Sequence, residues 1–588
     1  LHLSILLVLL PRYPEESAMV LVETGIVPRY FVLLQNGTQS LPHMKIRKTI
    51  GKVMIGMKDG SFNFTRREFA QGGAAAILVS TAAGKLAALD AGAKLTGEVT
   101  VDPSAVSTPF NRMIFGQFLE HFHRQVYGGV FEPGSPLADK DGFRMDVVEA
   151  CRELRVPVVR WPGGCFASAY HWRDGVGKDR ETSFDKAWGV EDPNTFGTDE
   201  FVKWCQLVGC EPYICTNAGT GTAEEMSDWV EYCNMPDKGR NARLRKTHGH
   251  DKPFNVRYWS IGNENYLGGE IGAKTVDEWA PLVRESAKMM RAVDSDLKIL
   301  AAATVTGNWT PPMLKAAGRY LDFISIHYYW DALWQRNTHP SPYLKCMVAG
   351  PIPEQHILQA VELLNQNGFG DKIKIAFDEW NLRGWHHPGF PGGGGNRLDL
   401  IKERDDNDLN ETYTMADAIF SASFLNGCLR QAKYVHMACM APVVNARGPL
   451  FVHPKGVVRR TTFHVLKMYS DLLQPNVVNS QVTSDQLTVD KDTVTAVDAI
   501  VTRSDDQRRY AIALLNRHPD KVAVCKLRLG AGVSMSGAKI TILSGDSPDA
   551  YNGIERPNRV TPEERTFNLS DGQVELPPHS VAVAQFGA

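Results

Sequence analysis

Tyr258-Trp259-Ser260-Ile261-Gly262-Asn263-Glu264-Asn265 and Ile373-Lys374-Ile375-Ala376-Phe377-Asp378-Glu379-Trp380-Asn381 are the two stretches that decide the fold. Each is a short apolar run, the pattern of a buried strand, that ends in a glutamate. A carboxylate at the mouth of a buried strand must be hydrogen-bonded, ion-paired or chemically employed, because leaving it unpaired in a low dielectric is costly. Two such glutamates are what work on a glycosidic bond requires. One carboxyl group protonates the leaving oxygen; the other attacks the anomeric carbon or activates water.

Similar runs recur on both sides. Residues 112–118, 156–161, 212–216, 256–261, 298–303, 323–327, 373–377 and 433–440 are strand candidates. Segments with helical periodicity at 146–154, 198–207, 277–293, 356–366 and 412–430 fall between them. Eight strands alternating with helices predict a closed parallel (β/α)8 barrel, a TIM barrel, over 109–469. Several of the strands are apolar almost throughout, as expected when both faces are covered. Glu120, Arg160, Asn217, Asn263, Glu264, His327, Tyr329 and Glu379 all fall at or just after a strand end, where barrel enzymes build their sites. Counting puts Glu264 after the fourth strand and Glu379 after the seventh, on facing sides of the mouth. That arrangement is compatible with a carboxyl separation of about 5–5.5 Å, the spacing of a retaining enzyme.

Beyond about Ser470 the pattern changes to short alternating segments at 476–482, 494–503, 510–516, 521–529, 539–543 and 581–586. They predict a carboxyl-terminal antiparallel β-sandwich, jelly-roll-like, over 470–588, which a strand within 94–108 joins. Residues 57–93 read as an export signal. Thr65-Arg66-Arg67-Glu68-Phe69-Ala70 precedes an uncharged run at 72–84 and a small-x-small site at Ala91-Gly92-Ala93. This resembles a twin-arginine signal, with Ala70 and Gln71 departing from the usual Leu-Lys, and it implies a periplasmic or extracellular protein. Met54 or Met57 is then the natural start, and 1–56 an upstream or disordered segment. The loop at 388–395, with four consecutive glycines, is read either as a cover for the site or as an ordinary surface loop.

Composition excludes several classes. Hydrophobic residues at 43% and charged residues at 22% rule out a disordered chain. A formal net charge of -2 provides no global attraction for nucleic acid or anionic membrane. The apolar run at 3–10 is too short to span a bilayer, so no stable membrane anchor is expected. The ten cysteines show no CxxC spacing and read as buried free thiols, and no HExxH is present, so neither zinc nor another metal is expected.

The flanking motifs carry a resemblance. They are Phe115-Gly116-Gln117-Phe118-Leu119-Glu120-His121, Val126-Tyr127-Gly128-Gly129-Val130-Phe131-Glu132-Pro133-Gly134, Val159-Arg160-Trp161-Pro162-Gly163-Gly164 and His171-Trp172-Arg173-Asp174-Gly175-Val176-Gly177, followed by Ile261-Gly262-Asn263-Glu264, His327-Tyr328-Tyr329 and Phe377-Asp378-Glu379-Trp380. In this order and spacing they resemble glycoside hydrolase family 51, the α-L-arabinofuranosidases, from about Val99 to the carboxyl terminus. The resemblance implies Glu264 as acid/base and Glu379 as nucleophile. It implies Asn263 on the sugar 2-hydroxyl, Glu120 on furanose hydroxyls, Arg160 beside the nucleophile, and His327 and Tyr329 bonding around it. The bland alternative for Glu120 is a salt bridge with Arg124.

Three positions depart from the family pattern. Cys165 stands where many members have a sugar-contacting asparagine. Arg383 stands where an aromatic residue often forms a subsite wall, with Trp385 as its replacement. Arg460 stands where some members have a sugar-binding glutamine. Cys165, Trp385 and Arg460 are therefore candidate substrate contacts. Trp161, Trp172, Trp309, Trp330, Trp334 and Trp385 are expected to divide between sugar stacking and core packing.

The implied activity is retaining release of terminal non-reducing α-L-arabinofuranosyl residues from arabinoxylan, arabinan and arabino-oligosaccharides. It proceeds through a glycosyl-enzyme, needs no cofactor, and leaves a homo-oligomer open. The competing readings are an endoglucanase or β-xylosidase of the same clan, and a catalytically silent carbohydrate-binding protein.

Overall fold

The computed structural model describes residues 94–101, 106–332, 340–384, 409–530, 537–567 and 572–587, and the strands within 3–34. Within the segment 1–56, Leu3–Leu9, Ala18–Thr24 and Val27–Leu34 form a three-stranded antiparallel sheet of their own. The signal expected at 57–93 and the glycine-rich loop lie outside the described residues.

The eight expected strands close a parallel barrel. They are β1 (Gly116–Phe118), β2 (Val158–Trp161), β3 (Glu211–Thr216), β4 (Tyr258–Ile261), β5 (Lys298–Ala302), β6 (Phe323–Ala332), β7 (Lys374–Gly384) and β8 (Val435–Met440). Each pairs with its neighbours in the chain, and β8 returns to β1 through Cys439–Gly116 and Met440–Gln117. Phe118, Val158, Tyr213, Leu300, Phe323 and Met437 fill the interior, so the barrel is a packed core and not a pore. Residues 112–115, expected to belong to the first strand, form a 3-10 turn capped by Asn111 instead.

The helices that cover the barrel include α1 (Met145–Glu153), α2 (Thr198–Val208), α3 (Val276–Val293), α4 (Ile352–Gln366) and α5 (Met415–Arg430). Their starts follow from local chemistry. Thr275 and Glu278 form a reciprocal capping box on α3, and Thr414 and Asp417 do the same on α5. No helix among the described residues is long and apolar enough to cross a membrane.

The carboxyl-terminal unit is a sandwich of a seven-stranded and a four-stranded sheet. The segment ahead of the barrel contributes to both: Ser107–Pro109 ends the larger sheet, and Leu95–Val101 lies inside the smaller one. Leu95–Val101 runs parallel to Ala523–Arg528, an exception to the expected antiparallel pairing. The larger sheet also departs from the expected alternation. Val497–Arg503 is buried at every position, because its two faces meet different partners. Val497, Ala499 and Val501 point into the sandwich, while Ile500 joins the barrel core. In the same way, Ile512 and Leu514 face the sandwich while Ala513 and Leu515 pack toward the barrel helices.

One buried carboxylate ties the two parts together. Asp498 accepts from Arg430 at the end of α5 (3.0 Å), from Arg517 (3.0 Å) and from Asn426 (3.2 Å). Burial would raise its pKa, but the two guanidinium groups hold it below the ordinary aspartate range. Its contribution to stability is therefore present above the unfolded-state pKa and is lost as pH falls through the depressed folded-state value. Asp498→Ala leaves the buried Arg517 without its carboxylate partner, while Arg430 keeps Glu354, and should cost about 3–5 kcal/mol. Thermal melts at pH 7 should show a markedly lower Tm, with the gap to wild type closing in acid.

Candidate active site

The mouth of the barrel is organised by a bulge. Along β6 and β7 the register runs Ser325 to Ala376 and then His327 to Glu379, so β7 carries one extra residue. The same shift recurs against β8 between Phe377 and Trp380. In a regular strand, consecutive side chains point to opposite faces; a bulge re-aims them. Here the consecutive carboxylates of Asp378 and Glu379 both reach the guanidinium of Arg160 on β2, at 3.5 and 3.0 Å. β7 then continues to Gly384, so Glu379 lies within a strand rather than at the abrupt end that its sequence suggested.

Arg160 is fully buried. Its Nη1 donates to Glu379 and its Nη2 to Asn263 Oδ1 (2.7 Å). On its other side Glu379 accepts from the Tyr329 hydroxyl (2.5 Å), which in turn accepts from Arg447 (2.6 Å). Burial would raise the Glu379 pKa, yet His327, Arg160 and the Tyr329 bond hold it below the ordinary glutamate range. His327 shows the opposite balance. Burial alone would lower its pKa, but Glu379, Asp378 and Glu264 around it push it up to about 10. As a cation it donates to Glu264 through Nδ1 (3.1 Å) and faces Asp378 through Nε2 (3.4 Å).

Glu264 arrives through a tight turn after β4. Gly262 has φ +74°, and a Cβ there would come within 2.1 Å of Asn265 Oδ1 and 2.8 Å of Trp279. Glu264 itself sits at φ +45°, a conformation that non-glycine residues adopt at a cost of roughly 1–3 kcal/mol. One carboxylate oxygen of Glu264, one of Glu379 and a ring nitrogen of His327 lie within 4.8 Å of one another.

Glu120 follows β1 and is buried at the mouth. It accepts from the Phe166 N–H and the Trp188 indole, both at 3.1 Å, and not from Arg124, which bonds the carbonyl of Val452. Gly163 and Gly164 make room for it; a Cβ on either would come within 2.6 Å of its side chain. Burial, and then the charge of Glu379, push its pKa up to about 8, so at neutral pH it carries a proton. Cys165 begins the next 3-10 turn, and its Sγ lies within 4.8 Å of carboxylate oxygens of both Glu264 and Glu270. Burial and the neighbouring carboxylates keep it a thiol. From Glu264 a cavity of about 1080 Å³ opens outward past Tyr266, Leu267, Trp309, Tyr328 and Trp330.

Glu120, Arg160, Cys165, Asn263, Glu264, His327, Tyr329 and Glu379 thus gather at one mouth. Arg460 does not join them: it is fully buried, and it bonds Asn410 and the carbonyls of Ala446 and Gly448 on the loop that carries Arg447. Arg383 is likewise turned inward, ion-paired with Asp331 (2.7 Å) and Asp417 (3.1 Å), so it is no subsite wall. Trp385 and Trp334 lie outside the described residues. Trp161 and Trp172 are core, whereas Trp309 and Trp330 line the cavity. Asn217 bonds the N–H groups of its own loop. Sequence reasoning missed Asp378, Arg447, Trp188 and Glu270. Asp378 adjoins Glu379 and could have been suspected; the other three reach the site only through long loops.

These features define a glycoside hydrolase built on a (β/α)8 barrel. Residues 150–342 match the α-L-arabinofuranosidase 1 domain, and residues 378–580 the α-L-arabinofuranosidase C-terminal domain. The α-L-arabinofuranosidase C of Emericella nidulans is 31% identical, over 83% of this chain and 97% of its own length. The intracellular exo-α-(1→5)-L-arabinofuranosidase of Streptomyces lividans is 32% identical, over 82% of this chain and 73% of its own. The structure of the family 51 α-L-arabinofuranosidase of Thermotoga petrophila superposes with a TM-score of 0.73 at 32% identity, covering 83% of this chain and 99% of that one. The chain belongs to glycoside hydrolase family 51, the α-L-arabinofuranosidases.

The turn at Gly262 gives a direct test of how closely the site is built. Gly262→Ala drives a methyl group against Asn265 and Trp279 and displaces Asn263 and Glu264. We expect about a 100-fold loss of kcat/KM on an aryl α-L-arabinofuranoside, with circular dichroism unchanged.

Proposed function

We propose that this enzyme removes terminal non-reducing α-L-arabinofuranosyl residues by double displacement, with Glu379 as nucleophile and Glu264 as acid/base. The observation that carries this is the approach of the Glu264 and Glu379 carboxylate oxygens to within 4.8 Å. An inverting enzyme leaves about 6.5–9.5 Å between its carboxyl groups to admit a water; a retaining one leaves about 5–5.5 Å.

The electrostatics support Glu379 as the nucleophile. Glu379, kept ionised by Arg160 and the His327 cation, attacks the anomeric carbon. Glu264 gives its proton to the leaving oxygen as the glycosidic bond breaks, and a glycosyl ester forms on Glu379. Water then attacks the anomeric carbon, Glu264 takes the water proton, and Glu379 leaves as a carboxylate. Asn263, oriented by Arg160, meets the sugar 2-hydroxyl. Glu120, protonated at neutral pH, meets another furanose hydroxyl, as donor. The Streptomyces relative is named for exo action on α-(1→5) linkages, which favours arabinan and arabino-oligosaccharides, with arabinoxylan side chains as the related substrate.

Glu379→Ala should lower turnover of an aryl α-L-arabinofuranoside by roughly 10³-fold or more. Proton NMR of the wild-type reaction should show α-L-arabinofuranose as the first product. The β-anomer appearing first would overturn the double displacement.

We also propose export through the twin-arginine segment at Arg66 and Arg67. The naming of the Streptomyces relative as intracellular stands against this. Replacing both arginines by lysine should hold the protein in the cytoplasm of an expressing bacterium, as read by fractionation; unchanged distribution would refute the signal.

A further inference from the structure

Glu270 belongs to no role assigned above, yet it is almost fully buried beside Glu264. It sits on the loop that follows the acid/base turn, and that loop is pinned at both ends. The Leu267 N–H donates to the Glu264 carbonyl (2.8 Å), and the Lys274 N–H to the Asn265 carbonyl (2.9 Å). The Lys274 ammonium reaches the carbonyl of Gly219 on the loop after β3 (2.8 Å). The Glu270 carboxylate is therefore presented by a fixed frame. Its hydrogen-bond partners are the Ser168 hydroxyl (2.6 Å), the Asn263 Nδ2 (3.4 Å) and the Cys165 thiol, none of them a cation. A carboxyl group buried among neutral partners is costly, so its retention at this position calls for a use.

The hydrogen-bond inventory of Asn263 supplies one. An amide has one acceptor oxygen and two donor protons. Arg160 can only donate, so its 2.7 Å contact fixes which end of the amide is the oxygen. Glu270 Oε1 accepts one of the two Nδ2 protons. No other described hydrogen bond uses Nδ2, which leaves its second proton for the substrate. The 3.4 Å separation is long for a free enzyme, and such contacts tighten when the substrate binds. Glu270 accepts from Asn263 in either protonation state, since the Ser168 and Asn263 bonds arrive at one oxygen, Oε1, and the other can carry the proton.

We propose that Glu270 is a positioning residue that, braced by Ser168, holds Asn263 so that its free amide proton meets the sugar 2-hydroxyl. The inference rests on the proposed contact between Asn263 and that hydroxyl.

The test is a cycle over substrate and residue. Kinetics are measured for wild type, Glu270→Ala and Glu270→Gln on an aryl α-L-arabinofuranoside and on its 2-deoxy analogue, with uncatalysed hydrolysis subtracted. Glu270→Ala should lower kcat/KM about 10–100-fold on the arabinofuranoside, the usual scale for a residue that orients a primary contact. On the 2-deoxy substrate, where the contact does not exist, the loss should be under about threefold. Glu270→Gln retains an acceptor oxygen and should recover activity to within about threefold of wild type. Equal losses on both substrates would overturn the proposal and leave Glu270 a merely structural group. Wild type that fails to discriminate between the substrates would instead refute the Asn263 contact itself.

Discussion

The Arg160 guanidinium is the interaction on which the site depends. It is buried in the barrel mouth, cannot lose its proton, and must therefore be surrounded by acceptors. Glu379 and Asp378 on β7 and the Asn263 oxygen in the turn after β4 occupy that role. The cation thereby fixes the orientation of an amide after β4 and a carboxylate on β7 at once. His327 complements it from β6, standing between Glu264 and Asp378. The result is a cluster in which two cations hold one glutamate ionised, while a second buried glutamate, Glu120, keeps a proton.

The cluster has a structural cost that the rest of the fold offsets. β7 carries an extra residue, and Glu264 occupies a left-handed conformation. Both departures sit at the mouth, above an interior filled by side chains from every part of the barrel. A packed core tolerates such local strain because neighbouring contacts over-determine the backbone. The residues that support the mouth do so from outside it. Arg460 grips the loop that carries Arg447, and Arg383 clamps β6 to α5 through Asp331 and Asp417.

The sandwich is more than an appendage. Its seven-stranded sheet has the sandwich core on one face and the barrel helices on the other, which explains strands such as Val497–Arg503 that are buried on both sides. Asp498 sits at that junction with two arginines. A strand added by the segment before the barrel runs parallel inside the smaller sheet, so both ends of the catalytic domain are tied to the same unit.

Much was legible in the sequence. Eight apolar runs in alternation with helical periodicity determined the barrel, because burial on both faces demands that composition. The position of Glu264 and Glu379 at the ends of two such runs determined that they face one another. The sequence could not show the bulge in β7, since an extra residue in one strand is visible only against its partners, and so it read Glu379 as lying at a strand end. Nor could it show that Arg383 and Arg460 turn inward, because a side chain's direction depends on which acceptors the folded chain brings within reach. Glu270, Trp188 and Arg447 were invisible for a related reason. Their loops have no periodicity, and only tertiary packing decides that three distant segments close over one pair of glutamates.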